Sequence, residues 1–158
     1  MSPTPVDQSD NRHHGGCRCG AVRFSIDDDP EHVSYCHCAD CRRATGAPVT
    51  AFVGFATERV SFTGERPATW VSGPVTRSFC VVCGSPIAYF DRRIGGRVYF
   101  LLGAMDAPQN YRPTLHAHVA EKLPFLHMPD GLPRFDGTSV ARPRETTETA
   151  ESRTRSAD

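Results

Sequence analysis

The sequence predicts a mainly β, antiparallel fold with short helices. Apolar and polar residues alternate at a period of two along most of the chain between residues 13 and 136, as they do in half-buried strands. The alternating segments are short, and many are separated by glycine or proline, of which the chain has thirteen each. Turns at such short intervals are typical of antiparallel neighbours rather than of long helices.

The elements are predicted in chain order. Strands are expected at residues 22–26, 50–55, 59–62, 69–71, 86–90, 97–102 and 115–119. One short helix is predicted over Ala39–Thr45, because Gly46 supplies a C-terminal cap and Pro48 prevents continuation. We expect this helix to follow a strand, with a cysteine cluster at the junction.

Length and charge limit the possible classes of function. A chain of 158 residues suits one domain, with disordered, solvated ends predicted at residues 1–12 and 137–158. The formal net charge is zero, which argues against a nucleic-acid partner. There is no apolar leader and no apolar run near the ~20 residues of a membrane span. We therefore expect a cytoplasmic protein without a membrane partner; the sequence leaves its oligomeric state open.

All seven cysteines fall into clusters with the spacing of metal ligands. The clusters are Cys17-x-Cys19, Cys36-x-Cys38-x-x-Cys41 and Cys80-x-x-Cys83. Thiolates one or two residues apart can bind one metal through a tight turn, and zinc accepts them tetrahedrally at about 2.3 Å. In a reducing compartment such clusters indicate metal sites, and a disulfide framework is the less favoured alternative.

Seven sulfurs divide into four plus three, which predicts two zinc ions per chain. One zinc would be structural, with the ligands Cys17, Cys19, Cys80 and Cys83, because a zinc with four thiolates normally contributes to folding. Glycines beside these ligands permit the left-handed backbone of tight turns: Gly15, Gly16, Gly20 and Gly84. The other would have three ligands and an open position, with the ligands Cys36, Cys38 and Cys41. The N-terminus of the predicted helix favours thiolate there. A soft metal site prefers a sulfur guest, so a small thiol is the expected ligand.

The central cluster also allows a closed, purely structural site. A histidine would then supply the fourth ligand, and the candidates are His37, His116, His118 and His127. His37 lies between two ligands, so we expect its ring to point away from the metal, as an outer-sphere or surface residue. His116 and His118 alternate on a predicted strand, which lets only one of them face a site.

Several motifs lie in one order along the chain. They are Gly16-Cys17-x-Cys19-Gly20, Cys36-His37-Cys38-x-x-Cys41-Arg42, Arg77-x-Phe79-Cys80-x-x-Cys83-Gly84, Pro113-x-x-His116 and Asp130-Gly131-Leu132-Pro133. Together they resemble the glutathione-dependent formaldehyde-activating enzyme family, which includes centromere protein V-like proteins. The resemblance implies a zinc-bearing β-tent domain over residues 13–136, of the kind shared with methionine sulfoxide reductase B. It also implies a structural zinc on the outer two cysteine clusters and a catalytic zinc on the central one.

The resemblance implies a zinc-dependent carbon–sulfur lyase that forms or cleaves a glutathione-type thiol adduct such as S-hydroxymethylglutathione. Arg42, Arg43 or Arg77 are candidates to pair with substrate carboxylates, because guanidinium suits bidentate carboxylate binding. The main alternative is a non-catalytic, zinc-stabilised module that binds a thiol or a protein. A methionine sulfoxide reductase-like activity is less favoured, because it needs a free redox-active cysteine and all seven are committed to clusters.

Overall fold

The computed structural model describes residues 12–140, which contain ten short strands and one α-helix, α1 (Ala39–Thr45). The strands are β1 (His13–Gly16), β2 (Arg23–Ile26), β3 (His32–Cys36), β4 (Thr50–Ala56), β5 (Val60–Phe62), β6 (Ala68–Ser72), β7 (Val75–Phe79), β8 (Pro86–Asp91), β9 (Arg97–Leu101) and β10 (His116–Ala117). Short 3₁₀ turns connect several of them, at Thr57–Arg59, Leu102–Ala104, Pro108–Asn110 and Val119–Glu121.

The strands form two sheets. A three-stranded sheet has the order β1-β2-β5, and a seven-stranded sheet has the order β10-β3-β4-β9-β8-β7-β6. Neighbouring strands are antiparallel except for β10 and β3, which are parallel. The predicted fold class, mainly β and antiparallel with short helices, is confirmed.

The main hydrophobic core joins the two sheets. Phe24 on β2 stacks on Phe100 on β9, with ring centroids 4.2 Å apart. Phe55 on β4 meets Phe100 edge-on, with centroids 6.3 Å apart. All three rings are almost completely buried, and burying an aromatic side chain of this kind stabilises a fold by a few kcal/mol, roughly 1.5–3.

The opposite face of the large sheet carries a second, smaller cluster. Successive residues of a strand point to opposite faces, so Tyr99 faces away from the core that its neighbour Phe100 enters. Tyr99 and Phe52 pack there with Cys36 and Cys41. The strands β4 and β9 therefore serve the core on one face and support a cysteine cluster on the other.

The helix α1 spans the predicted residues. Cys38 is its N-cap, and the Cys38 Sγ accepts a hydrogen bond from the Cys41 backbone N at 3.2 Å. Gly46 ends the helix in the left-handed conformation, with φ of 72°, and its N–H donates to Arg42 O at 2.8 Å. The predicted cap is confirmed. The helix also follows a strand as expected, since only two residues separate it from the end of β3.

Six of the seven predicted strands appear within one residue of their expected bounds, and the seventh is wrong in length. The segment 115–119 forms a strand only at His116–Ala117, because His118 adopts φ of 56° and turns the chain away. The strands β1 and β7 were not predicted. β1 has the sequence His-His-Gly-Gly, which lacks the apolar alternation that marks a strand.

The ends of the predicted domain lie mostly outside the described residues. The expected solvated segments 1–12 and 137–158 overlap the described range only at Arg12 and at residues 137–140. Gly137 O accepts a hydrogen bond from His118 N at 2.8 Å. Between residues 12 and 140, no helix is both long and apolar enough to cross a membrane.

Candidate metal centres

The seven cysteines gather into two groups, and none forms a disulfide. In each group the Sγ atoms all lie within 4.8 Å of one another, so that either could hold a metal ion. The four-thiol group consists of Cys17, Cys19, Cys80 and Cys83. The three-thiol group consists of Cys36, Cys38 and Cys41. The structure thus brings together the sulfurs that the spacing of the sequence had grouped.

The four-thiol group lies at the ends of β1 and β7. The Sγ atoms of Cys17 and Cys19 are 3.4 Å apart, and those of Cys19 and Cys80 are 3.8 Å apart. Val22 N donates to Cys17 Sγ at 3.2 Å. Backbone donors of this kind favour the thiolate, which is the form that binds a metal.

Glycine shapes both turns of this group. Gly20 has φ of 81° and donates to Cys17 O at 3.1 Å, while Gly84 has φ of 72° and donates to Cys80 O at 2.8 Å. Residues with a side chain rarely adopt these angles. The left-handed backbone expected beside the ligands is therefore confirmed at Gly20 and Gly84, whereas Gly15 and Gly16 lie in the strand β1.

The three-thiol group is local in sequence and lies where β3 passes into α1. The Sγ atoms of Cys36 and Cys41 are 3.5 Å apart. Hydrogen bonds from the thiols of Cys36 and Cys41 lower the pKa of Cys38 to about 2. The hydrogen bonds with Cys38 and Cys41, together with burial, raise the pKa of Cys36. Hydrogen bonding within the group thus favours the thiolate form of Cys38.

The arginines near the three-thiol group bind the protein itself. Arg77 Nη2 lies 3.7 Å from Cys41 Sγ, forms a salt bridge with Asp40, and its guanidinium sits 5.0 Å from the centre of the Tyr89 ring. Arg42 donates through Nη1 to the carbonyls of His37 and Glu121. Arg77 therefore lies beside the sulfurs, and Arg42 links the loop between β3 and α1 to the carbonyl of Glu121.

A cavity of about 290 Å³ opens beside the three-thiol group, and all three cysteines line it. Its volume is near the lower end of the roughly 300–1,000 Å³ typical of small-molecule sites. Its other lining residues include both aromatic and charged side chains: Phe52, Tyr89, Tyr99, His32, His118, Asp40, Glu121 and Arg93.

Arg93 is a cavity residue that the sequence did not indicate. Its Nε and Nη2 donate to the two carboxylate oxygens of Asp91 at 2.9 and 2.8 Å, and Asp91 is fully buried. Tyr89 OH donates to the same carboxylate at 3.0 Å. A buried anion thus fixes the guanidinium at the cavity. The sequence Asp-Arg-Arg carries no motif that would have revealed this.

None of the four candidate histidines joins the three-thiol group. In the described part of the chain, that group is made of cysteine sulfurs alone. His37 is fully buried rather than exposed, and its Nε2 lies 2.8 Å from His116 Nδ1. Burial, reinforced by the positive charges of nearby Lys122 and Arg134, lowers the pKa of His37 to about 4. His118 lines the cavity, and His127 is exposed.

Comparison with protein families decides where the chain belongs. The family model described as glutathione-dependent formaldehyde-activating enzyme matches residues 12–121, well over half of the chain. The chain belongs to this family. Membership of the formaldehyde-activating enzyme family points to glutathione-dependent activation of formaldehyde, with a small thiol as the partner.

Two similar proteins accompany this match. A Halomonas elongata protein, provisionally named as a glutathione-dependent formaldehyde-activating enzyme, is 30% identical over 114 residues, which are 66% of this chain and 72% of that protein. The crystal structure of a Rhodobacter sphaeroides protein, a structural genomics target, has a TM-score of 0.48 and 19% identity to this chain. It covers 77% of this chain and 98% of its own.

Replacing Arg42 by Met should lower the free energy of unfolding by about 1.5 kcal/mol, because a charged donor to two carbonyls is lost. The matched control is Arg43→Met on the same helix, whose exposed side chain should change stability by less than about 0.5 kcal/mol. Urea unfolding followed by circular dichroism measures both. If instead the two variants are equally stable and Arg42→Met binds glutathione more weakly, the structural role is contradicted. That result would support the binding of a substrate carboxylate by Arg42.

Proposed function

We propose that the chain is a cytoplasmic zinc-dependent carbon–sulfur lyase that forms or cleaves S-hydroxymethylglutathione, or the formaldehyde adduct of a similar thiol. The observation that carries the proposal is the three-thiol group, which lies at a cavity and has no fourth protein ligand among residues 12–140. A metal with three protein ligands keeps one position for a molecule from solution, as catalytic zinc sites do. Family membership supports the choice of thiol and aldehyde.

The sulfur spacing supports zinc at both groups. The Sγ–Sγ distances of 3.4, 3.5 and 3.8 Å approach the edge of about 3.8 Å of a tetrahedron with zinc–sulfur bonds of about 2.3 Å. The four-thiol group would hold a structural zinc and the three-thiol group a catalytic one. Zinc held by Cys36, Cys38 and Cys41 would supply a positive charge that stabilises the thiolate of the substrate.

The charges of the cavity support a glutathione-type substrate. Glutathione carries two carboxylates and one ammonium group near neutral pH, since carboxyl groups titrate well below pH 7 and amino groups above it. The guanidinium of Arg93 can pair with one of the two carboxylates, and the carboxylates of Asp40 and Glu121 line the same cavity and attract the ammonium group. The aromatic rings of Tyr89 and Tyr99 add apolar surface for the remainder of the thiol.

His118 is the residue that we assign to proton transfer. In the cleavage direction the carbon–sulfur bond breaks with its electron pair on sulfur, the hydroxyl oxygen loses its proton, and formaldehyde leaves. His118 lines the cavity, and an imidazole exchanges protons near neutral pH. Its Nδ1 lies 3.8 Å from Glu121 Oε1, and both side chains line the cavity. In the direction of synthesis the same ring returns the proton.

Zinc-loaded protein should accelerate the exchange between free formaldehyde and its glutathione adduct, which exchange NMR with ¹³C-labelled formaldehyde measures against the uncatalysed rate. Cys38→Ser should abolish the acceleration. His118→Gln should lower it by about 100-fold or more, because general acid–base catalysis contributes roughly 10²–10⁴-fold. The control His127→Gln changes an exposed histidine and should have no effect. Zinc-loaded protein that binds glutathione without accelerating exchange would favour the non-catalytic binding module.

Replacing Cys83 by Ser should unfold or severely destabilise the domain, because zinc binding at the four-thiol group contributes directly to folding. Replacing Cys38 by Ser should leave the fold largely intact and remove one of two zinc ions per chain. Circular dichroism melts measure stability, and elemental analysis after dialysis counts the zinc. Equal destabilisation of the two variants would indicate two structural sites and would speak against a catalytic one.

A further inference from the structure

A chain of hydrogen bonds runs from Asp130 through the buried ring of His116 to His37, in the loop that carries the three-thiol group. His116 Nε2 lies 2.8 Å from Asp130 Oδ2, and His116 Nδ1 lies 2.8 Å from His37 Nε2. Both histidines are fully buried, and their rings stack with centroids 5.1 Å apart and an interplanar angle of 20°. The chain ends at His37, which lies between the ligand candidates Cys36 and Cys38.

The chemistry of the partners fixes the direction of these bonds. The carboxylate of Asp130 accepts, so His116 carries its proton on Nε2 and offers the lone pair of Nδ1. His37 must then donate through Nε2. Its Nδ1, buried and without a hydrogen-bond partner in the described residues, is left as an acceptor rather than as an orphaned N–H. Asp130 therefore determines the tautomer of both rings.

These bonds fix His37 on three sides. Its backbone N donates to Ala117 O at 3.0 Å, its carbonyl accepts from Arg42, and its ring donates to His116. His116 is held in turn by backbone bonds to the segment after Asp130. His116 N donates to Pro133 O at 2.8 Å, and Phe135 N donates to His116 O at 2.8 Å. Because His37 is covalently joined to Cys36 and Cys38, holding His37 in place also restricts the positions of these two cysteines.

We propose that His116 and Asp130 are positioning residues for the three-thiol group, acting through His37 to hold the loop in its metal-binding shape. The inference rests on the proposed function, because it assumes that the group binds zinc. It assigns a role to the motifs Pro113-x-x-His116 and Asp130-Gly131-Leu132-Pro133, which the reaction itself does not use. Neither His116 nor Asp130 lines the cavity. Outer partners of this kind typically change metal affinity by about 10–100-fold when they are removed.

The test is the transfer of zinc from the full chain to a chromophoric chelator, followed in time. Wild type should release two zinc ions in separate kinetic phases. The phase that is missing from the Cys38→Ser variant is the one that belongs to the three-thiol group. His116→Ala should accelerate that phase by about 10-fold or more and leave the other unchanged. His116→Gln should restore much of the wild-type rate, since its amide can accept from His37 and donate to Asp130.

The matched control is Tyr111→Phe. It removes another buried bond to a histidine, from Tyr111 OH to His13 Nδ1 at 2.7 Å, away from the three-thiol group. It should change neither phase. If His116→Ala fails to fold, Asp130→Ala serves in its place, because the Asp130 side chain is 31% exposed and its loss creates little strain.

Two results would overturn the inference while leaving the proposed function intact. One is a His116→Ala variant with wild-type release, and the other is acceleration of both phases to the same extent, which a general loss of stability would produce. A wild-type chain that carries no zinc at the three-thiol group would instead refute the proposed function, and the inference with it.

Discussion

The fold depends on bringing thiols from distant parts of the chain into contact. Cys19 and Cys80 are 61 residues apart in sequence, yet their Sγ atoms are 3.8 Å apart. Cys17 follows a strand of the small sheet, Cys80 follows a strand of the large sheet, and both belong to the main hydrophobic core. Sulfur positions and side-chain packing are therefore set together, and a metal at the four-thiol group would close the two sheets on each other at that end.

The three-thiol group has a different relation to the core. It lies on the opposite face of the large sheet, where Tyr99 and Phe52 support it, while Phe100 on the same strand as Tyr99 packs into the core. Its three sulfurs come from six consecutive residues, so folding needs no long-range closure to assemble them. Replacing one of these three sulfurs should therefore cost less stability than replacing one of the four-thiol group, as the proposed division into one catalytic and one structural site requires.

The sequence was most informative where structure is local. The helix Ala39–Thr45 ends at a left-handed Gly46, and the three thiols of the central cluster come together as their spacing indicated, because caps and tight turns depend on a few neighbouring residues. The pairing of the two outer clusters is not local, and it followed instead from dividing seven cysteines into four and three. The strand β10 was overestimated, because its parallel pairing with β3 and the left-handed His118 follow from tertiary contacts. The position of His37 could not be deduced either. Its partner His116 is 79 residues away in the sequence. The motifs around His116 and Asp130 had no assigned role, and they were the only sequence feature that pointed to these residues.

The central claim is that one metal site is closed by four thiols and the other is left open with three. X-ray absorption at the zinc edge tests it directly, because it counts the sulfur ligands per zinc. Seven sulfurs on two zinc ions predict an average of about 3.5, and saturating glutathione should raise this to about 4 as a sulfur fills the open position. An average that glutathione leaves unchanged, with a protein nitrogen at about 2.0–2.1 Å completing the second site, would show that both sites are closed and would contradict the account.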